Sequence, residues 1–268
     1  MITGSTRVFA ILGNPVAHSL SPVMHNAAFR ALGIQAAYVP FPCTPEDVAP
    51  LIRALTRNGG GGNVTVPYKE AAAGAVDVCR EMAEVVGASN TFWGEDGRSV
   101  GDNTDVQGLL DALRDLEAPE APWLIAGTGG AARAAVVAAR ERGVDVAVTS
   151  RDNGRRREFE TWISSRGVGL APAAECRVLI NSTPLGLKAG DPLPIAPDMA
   201  PGAEVVLDLV YGTGETPWVR AMRPRVRRAA DGRGMLVAQG AAAFECWFPG
   251  KHAPVEVMRA AVNAALRS

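Results

Sequence analysis

Short runs of apolar and β-branched residues alternate with helical segments along almost the whole chain, and this alternation restricts what it can fold into. "RVFAILG" precedes "SPVMHNAAFRALG", and "AAYVPF" precedes "TPEDVAPLIRALTRNG". "GNVTVP" precedes a helical pattern that runs through Met82 and Val86. Strands separated by helices predict parallel pairing and a sheet covered on both faces. The helix starts are marked. Ser21 reads as an N-cap with Pro22 at the first helical position and Gly33 past the end. Thr44–Pro45 repeats the device, and Asn58–Gly59 stops that helix. "NTFWGEDGRSVGDNTD" reads as a hairpin turning near Asp96–Gly97.

"LEAPEAP", residues 116 to 122, interrupts the pattern, which then restarts. "WLIAG" is a buried strand, "GGAARAAVVAARERG" a helix and "VDVAVTSR" a strand. "REFETWISSRG" is a helix, and "CRVLINST" and "AEVVLDLVY" are further strands. This predicts a second, doubly wound α/β unit. In the last helix Val255, Met258, Val262 and Leu266 fall at helical spacing and make one apolar stripe. That stripe needs a surface to cover, and the first domain offers it. The predicted organisation is a first domain over 1–104, completed by helices over 237–268, and a second domain over 105–236.

Composition narrows the function classes. The chain has 268 residues, 47% hydrophobic and 21% charged, with a net charge of −1. No basic field points to nucleic acid or anionic lipid, and no apolar run approaches a membrane span. The four cysteines form no CxxC pair and read as free thiols with no metal site. These features predict a cytoplasmic enzyme acting on small molecules.

"AGTGGAAR" follows a strand and opens a helix. Gly127, Gly129 and Ala132 fit G-x-G-x-x-A. The first glycine permits the tight turn, and the second lets the backbone approach a pyrophosphate. The small third residue allows close helix–strand packing. Thr128, Gly130 and Ala131 complete the loop, and the helix N-terminus offers amides to phosphate. The next strand ends "TSRDNGRRRE". A ribose 2′-hydroxyl calls for a carboxylate near this point and a 2′-phosphate for an arginine. Arg151, at the strand end, points to NADP.

Two other stretches carry polar groups in unusual places. In "GNPVAHSLS" Ser19 and Ser21 stand one residue apart before a helix, where hydroxyls and amides suit a carboxylate. A cap role accounts for Ser21 and leaves Ser19 unexplained. In "GNVTVPYKE" Asn63 and Thr65 alternate with valines, which at period two puts them on one face of a strand. Pro67 ends the ladder, and Lys69 follows at once. Polar groups at i and i+2 followed by a lysine describe a lining rather than a core.

"GNPVAHSLSP", "NVTVPYKE", "GASNT", "GDNTD", "GTGGAAR", "INSTPLGL" and "GMLVAQGAAAF" occur in this order, and on them the chain resembles the shikimate dehydrogenase family from Val8 to about Trp247. The resemblance implies an N-terminal α/β substrate domain and a Rossmann-type cofactor domain with the active site in the cleft between them. It implies NADPH-dependent reduction of 3-dehydroshikimate to shikimate in aromatic amino acid biosynthesis, by a monomer or homodimer. Ser19, Ser21 and Tyr211 would hold the substrate carboxylate. Asn63, Thr65, Asn90, Asp105 and Gln239 would hold the ring hydroxyls and carbonyl region, and Lys69 and Asp105 match the catalytic pair. Gly127 to Ala132 would take the pyrophosphate, and Arg151 and Arg155, in the motif opened by Ser150, the 2′-phosphate. Asn181, Thr183 and Met235 would lie near the nicotinamide.

The chemistry needs these types. Hydride transfer to a ketone leaves charge on oxygen; an ammonium stabilises it and supplies the proton. The resemblance makes His18 structural, and His25 reads as packed or exposed. Departures from the family pattern are Thr128 for alanine, Ser89 for valine and the added Asp152, which gives NAD a foothold as the weaker cofactor. Competing readings are a quinate or aminoshikimate dehydrogenase, or a silent NADP-binding sensor; the intact Lys69 and Asp105 weigh against the sensor.

Overall fold

A computed structural model of the chain describes residues 2–267. It divides into two compact units, Met1–Gly108 with Leu236–Ser268, and Leu109–Met235. The first unit therefore gathers residues from both ends of the sequence. The chain leaves it inside one helix and returns inside another, so neither crossing falls in the proline-rich stretch 116–122.

The first unit runs β1 (Arg7–Gly13), α1 (Ser21–Ala31), β2 (Ala36–Pro42), α2 (Pro45–Arg57) and β3 (Gly61–Val64). It continues with α3 (Lys69–Ala73), β4 (Val78–Cys79), α4 (Glu81–Val86), β5 (Thr91–Glu95) and β6 (Arg98–Asp102), and α5 (Asp105–Asp115) leads out. Its six strands lie in the order β2-β1-β3-β5-β6-β4. β1 pairs in parallel with β2 and β3, as the helical crossovers require. β3–β5 departs from the parallel expectation and β5–β6 is the expected hairpin, both antiparallel, while β4–β6 is parallel, so the sheet is mixed. In that hairpin Asp96 and Gly97 both take positive φ, 50° and 74°, as a tight two-residue turn demands. β4 also lies inside the stretch expected to be helical. Its two residues pair with β6, a contact that no local periodicity announces.

Two expectations about local structure change. Thr44 caps α2 in a full capping box, its backbone N–H donating to Asp47 Oδ2 at 2.8 Å. Ser21, by contrast, is not the cap of α1. Leu20 holds that position and Ser21 is the first helical residue. Its N–H donates to Ser19 Oγ at 3.3 Å, no side chain caps α1, and the Ser21 hydroxyl is buried. β3 likewise ends at Val64, before Thr65. Tyr68 N–H donates to Thr65 O at 3.0 Å, closing a turn, and Lys69 opens α3 rather than ending a strand.

The second unit runs β7 (Trp123–Ala126), α6 (Gly130–Glu141), β8 (Val146–Thr149), α7 (Asn153–Ser165), β9 (Val178–Asn181), β10 (Val205–Asp208), α8 (Pro217–Met222) and β11 (Arg228–Ala230). Its sheet is β11-β10-β9-β7-β8, parallel throughout. All four residues of β7, β9 and β10 are buried, the continuous apolar reading of strands covered on both faces.

α9 (Arg233–Trp247) and α10 (Val255–Ala265) complete the first unit. α10 packs on α1, with Met258 and Val262 buried and Val255 and Leu266 at the margin of the stripe. α9 comes close to α1 because Gly240 has no side chain: a Cβ there would sit 2.2 Å from the Met24 methyl. Among the described residues no helix is long and apolar enough to cross a membrane.

Candidate active site

In the first unit the polar residues of four separate motifs converge. Lys69, at the start of α3, donates from Nζ to Asp105 Oδ2 at 2.5 Å. Asp105, at the start of α5, is only 3% exposed, and its other oxygen accepts from Asn90 Nδ2 at 2.8 Å. Asn90 Nδ2 also lies 3.2 Å from Gln239 Oε1 on α9 and 3.0 Å from Thr104 Oγ1. Thr104 N–H returns a bond to Asn90 Oδ1 at 2.7 Å, and Asp105 N–H donates to Asn103 Oδ1 at 3.1 Å. Both ends of the Asn90 amide are thus fixed. A buried carboxylate is tolerable here because it is paired with an ammonium and hydrogen-bonded.

Asn63, on β3, is 4% exposed and donates from Nδ2 to the Asn90 carbonyl at 3.1 Å. Thr65 is half-buried in the turn that follows. Ser19 is half-buried and Ser21 buried at the entry to α1. The Ser21 side chain is a hydrogen-bond neighbour of the Tyr38 phenol. Ser89, where the family pattern has valine, bridges backbone: its hydroxyl donates to Thr91 O at 2.9 Å and Asp102 O at 3.1 Å.

Tyr38, Asn103 and Thr104 join this network without having been singled out in the sequence. The last two lie within "GDNTD" and could have been taken with Asp105. Tyr38 carries no signal, since an aromatic on a strand reads as core. His25 is fully buried, its ring stacked 4.7 Å from that of Tyr38 and 4.7 Å from that of Trp247. Among the described residues neither of its ring nitrogens has a hydrogen-bond partner. Burial lowers its pKa to about 3, so it is a neutral packing residue.

The second unit holds the phosphate-type loop. Gly127 follows β7 with φ of +112°, a conformation that favours glycine. A Cβ there would also lie 2.6 Å from Ser182 Oγ. Gly129 is the N-cap of α6 and supplies no side chain to it, and a Cβ at Gly129 would meet no atom within 4 Å. The approach to the amides of Gly130 and Ala131 is therefore open, as a bound pyrophosphate requires. Thr128 is half-buried in the loop, and Ala132 is fully buried, which lets the helix lie close to the sheet. The residues present fit a dinucleotide.

Past β8, Ser150 is half-buried, Arg151 and Arg155 are exposed, and Asp152 caps α7. Asp152 Oδ1 accepts from Gly154 N–H at 2.8 Å and Arg155 N–H at 3.0 Å, and these bonds hold its carboxyl below the usual range. The acid thus has a structural reason to be there. Arg156 pairs with Glu160 along α7 and is turned to that use.

Asn181 is fully buried and committed at both ends. It donates to Asp208 Oδ1 at 2.7 Å and Leu185 O at 3.0 Å, and accepts from Thr183 N–H at 3.0 Å and Thr183 Oγ1 at 2.6 Å. It shapes the loop after β9 and has no group left for a ligand, whereas Thr183 stays half-buried. Asp208 is the hub. Besides Asn181, it accepts from Thr216 Oγ1 at 2.6 Å and Val210 N–H at 3.1 Å, while burial raises its pKa. One carboxylate thereby ties the Asn181 loop to the loop that carries the half-buried Tyr211. Met235 is buried near the start of α9.

A chain built this way falls in the class of two-domain oxidoreductases that use a nicotinamide dinucleotide. Residues 11–92 match the family model of the shikimate dehydrogenase substrate binding domain, and residues 232–262 that of the shikimate 5′-dehydrogenase C-terminal domain. A shikimate dehydrogenase (NADP(+)) of Synechococcus sp. (strain JA-2-3B'a(2-13)) is 40% identical over 283 residues, 99% of this chain and 98% of the relative. A crystal structure of a shikimate dehydrogenase in complex with NADP+ superimposes with a TM-score of 0.90 at 30% identity, covering 100% of this chain and 98% of its own. The shikimate 5-dehydrogenase of Thermus thermophilus, solved with NADP(H) and shikimate, gives 0.85 at 34% identity over 99% of this chain and 100% of its own. The chain belongs to the shikimate dehydrogenase family.

Proposed function

We infer that the protein catalyses the reversible NADPH-dependent reduction of 3-dehydroshikimate to shikimate, in the branch that leads to the aromatic amino acids. The observation that carries this reading is the Lys69–Asp105 contact of 2.5 Å, buried with Asn90 and Gln239 in a chain whose relatives are named for that reaction. Bound NADPH supplies the hydride. Lys69 Nζ holds the proton that the new alkoxide takes, and in the oxidation direction the neutral amine receives it. Asp105 orients the ammonium from a seat fixed by Asn90. Gln239, Asn63 and Thr65 present polar groups to the ring substituents. Ser19 and Ser21 take the carboxylate.

We place the reaction in the cytoplasm, where the four free thiols would stay reduced, and assign it to a monomer or homodimer. The test is a panel of shikimate, quinate and dehydroshikimate, each with both cofactors. Turnover of shikimate with NADP+ is the expected result. A quinate preference would move the assignment within the family, and no turnover of any of them would leave a binding protein.

The serines supply a second test. Loss of one hydrogen bond to a charged group is worth about 1.5–3 kcal/mol, so Ser19→Ala and Ser21→Ala should each raise KM for shikimate about ten- to a hundredfold. Unchanged KM in both would move the carboxylate site elsewhere. Because Ser19 Oγ also accepts from Ser21 N–H, Ser19→Ala should additionally lower thermal stability a little.

Cofactor choice is tested at the end of β8. Arg151→Ala should cost NADPH more kcat/KM than NADH. Asp152→Thr should widen the NADPH preference by removing a carboxylate near the 2′-phosphate, and threonine, itself a capping residue, keeps α7 intact. Both exposed charges are screened, so the preference should narrow as salt rises. Equal use of both cofactors, unchanged on removing Arg151, would sink the assignment of this loop.

A further inference from the structure

Asn63 is held between groups that leave its amide no choice of orientation. Its Nδ2 faces the Asn90 carbonyl at 3.1 Å, an acceptor only. Turning the amide over would set two oxygens against each other. Oδ1 must therefore face the phenol of Tyr38, which donates to it at 2.8 Å. That contact is fully buried, so the phenol has no water to fall back on. The second N–H of Asn63 has no partner among the described residues. The same phenol neighbours the buried Ser21 hydroxyl, and since its one proton is spent on Asn63, it meets Ser21 only as an acceptor. Tyr38 is itself braced: its ring stacks on His25, and Asn26 clamps its backbone, Oδ1 accepting from Tyr38 N–H at 2.9 Å and Nδ2 donating to Tyr38 O at 2.7 Å.

We propose that Tyr38 is a positioning residue for substrate recognition, fixing Asn63 with an N–H turned toward a ring oxygen. The inference rests on the reading that Asn63 binds shikimate. A phenylalanine at this position would keep the ring packing and lose only the phenol proton, so the fold should survive. Asn63 Oδ1 would then be buried without a donor, and the amide would lose half of what orients it.

The experiment compares Tyr38→Phe, Asn63→Ala and the double variant by KM and kcat for shikimate and NADP+ and by thermal midpoint. Tyr38→Phe should raise KM for shikimate about tenfold, the scale of one lost hydrogen bond. Its kcat should stay within about twofold and KM for NADP+ unchanged, a split that a general loss of packing would not produce. In the Asn63→Ala background the same substitution should add almost nothing, because it acts through the missing amide. Two results overturn the proposal: a multiplicative effect in the double variant, or unchanged KM in Tyr38→Phe while Asn63→Ala raises it. If Asn63→Ala itself leaves KM unchanged, the substrate reading of Asn63 falls, and the role of Tyr38 falls with it.

Discussion

Lys69→Ala should lower kcat by at least ~100-fold, the scale of a lost general acid/base, while KM for shikimate changes far less. Among the described residues the lysine is the one cation in contact with Asp105 in this network, and nothing else there is placed to give a proton to a developing alkoxide. Asn90 and Gln239 are amides that already hold each other. The variant should also be less stable. Lys69 and Asp105 side chains are 14% and 4% exposed, so removing the lysine leaves a carboxylate buried with only neutral donors. Breaking such a pair costs roughly 3 kcal/mol. Steady-state kinetics and a thermal scan on one preparation separate the two effects, and a small primary alkylamine in the assay should restore part of kcat without restoring stability. Near-normal turnover in Lys69→Ala would remove the acid/base role.

The second large effect is on stability against pH. The His25 pKa falls from 6.5 to about 3 on folding because burial among the rings of Phe29, Tyr38 and Trp247 disfavours the charged form. Between those values the unfolded chain binds the proton and the folded chain does not. Stability therefore rises with pH in this window. The contribution is fully present above 6.5 and is lost as pH falls toward 3, by about 1.4 kcal/mol per pH unit, on the order of 5 kcal/mol in all. Other groups add to the acid limb, since Asp47, Asp77 and Asp191 are held below their usual values by hydrogen bonds.

His25→Phe isolates the histidine. At pH 7.5 the variant should be close to the wild type, because the ring it replaces makes no hydrogen bond. Below pH 6.5 the variant should gain on the wild type by the slope above. Denaturant midpoints at half-unit steps would show the two curves separating as the pH falls; parallel curves would mean that His25 is hydrated or protonated in the folded protein.

Much of the fold was legible in the sequence because its determinants are local. The hairpin needs two residues of positive φ in succession, and Asp96–Gly97 announces that to any reader of backbone preferences. The capping box of Thr44 and Asp47 lies within one turn. Gly127 and Gly129 matter through their own backbones, so the loop reads the same before and after folding. The polar types in "NVTVPYKE" read as a lining, and the resemblance to the family supplied the expected roles of its residues and of "GDNTD".

What only the tertiary structure decided depends on partners far apart in the chain. Lys69 meets Asp105 across 36 residues, Tyr38 meets Asn63 across 25, and Asn90 meets Gln239 across 149. No spacing rule reaches that far, because a strand or helix fixes the direction of a side chain but not which surface comes to lie against it. The same limit hid the antiparallel pairing of β3 with β5 and the pairing of β4 with β6. It left His25 undecided between packed and exposed, and it made Ser21 look like a cap when Leu20 holds that position. Identity and local preference are written in the sequence; the environment that makes a histidine neutral, an asparagine one-sided or an aspartate tolerable when buried exists only once distant segments have excluded water around it.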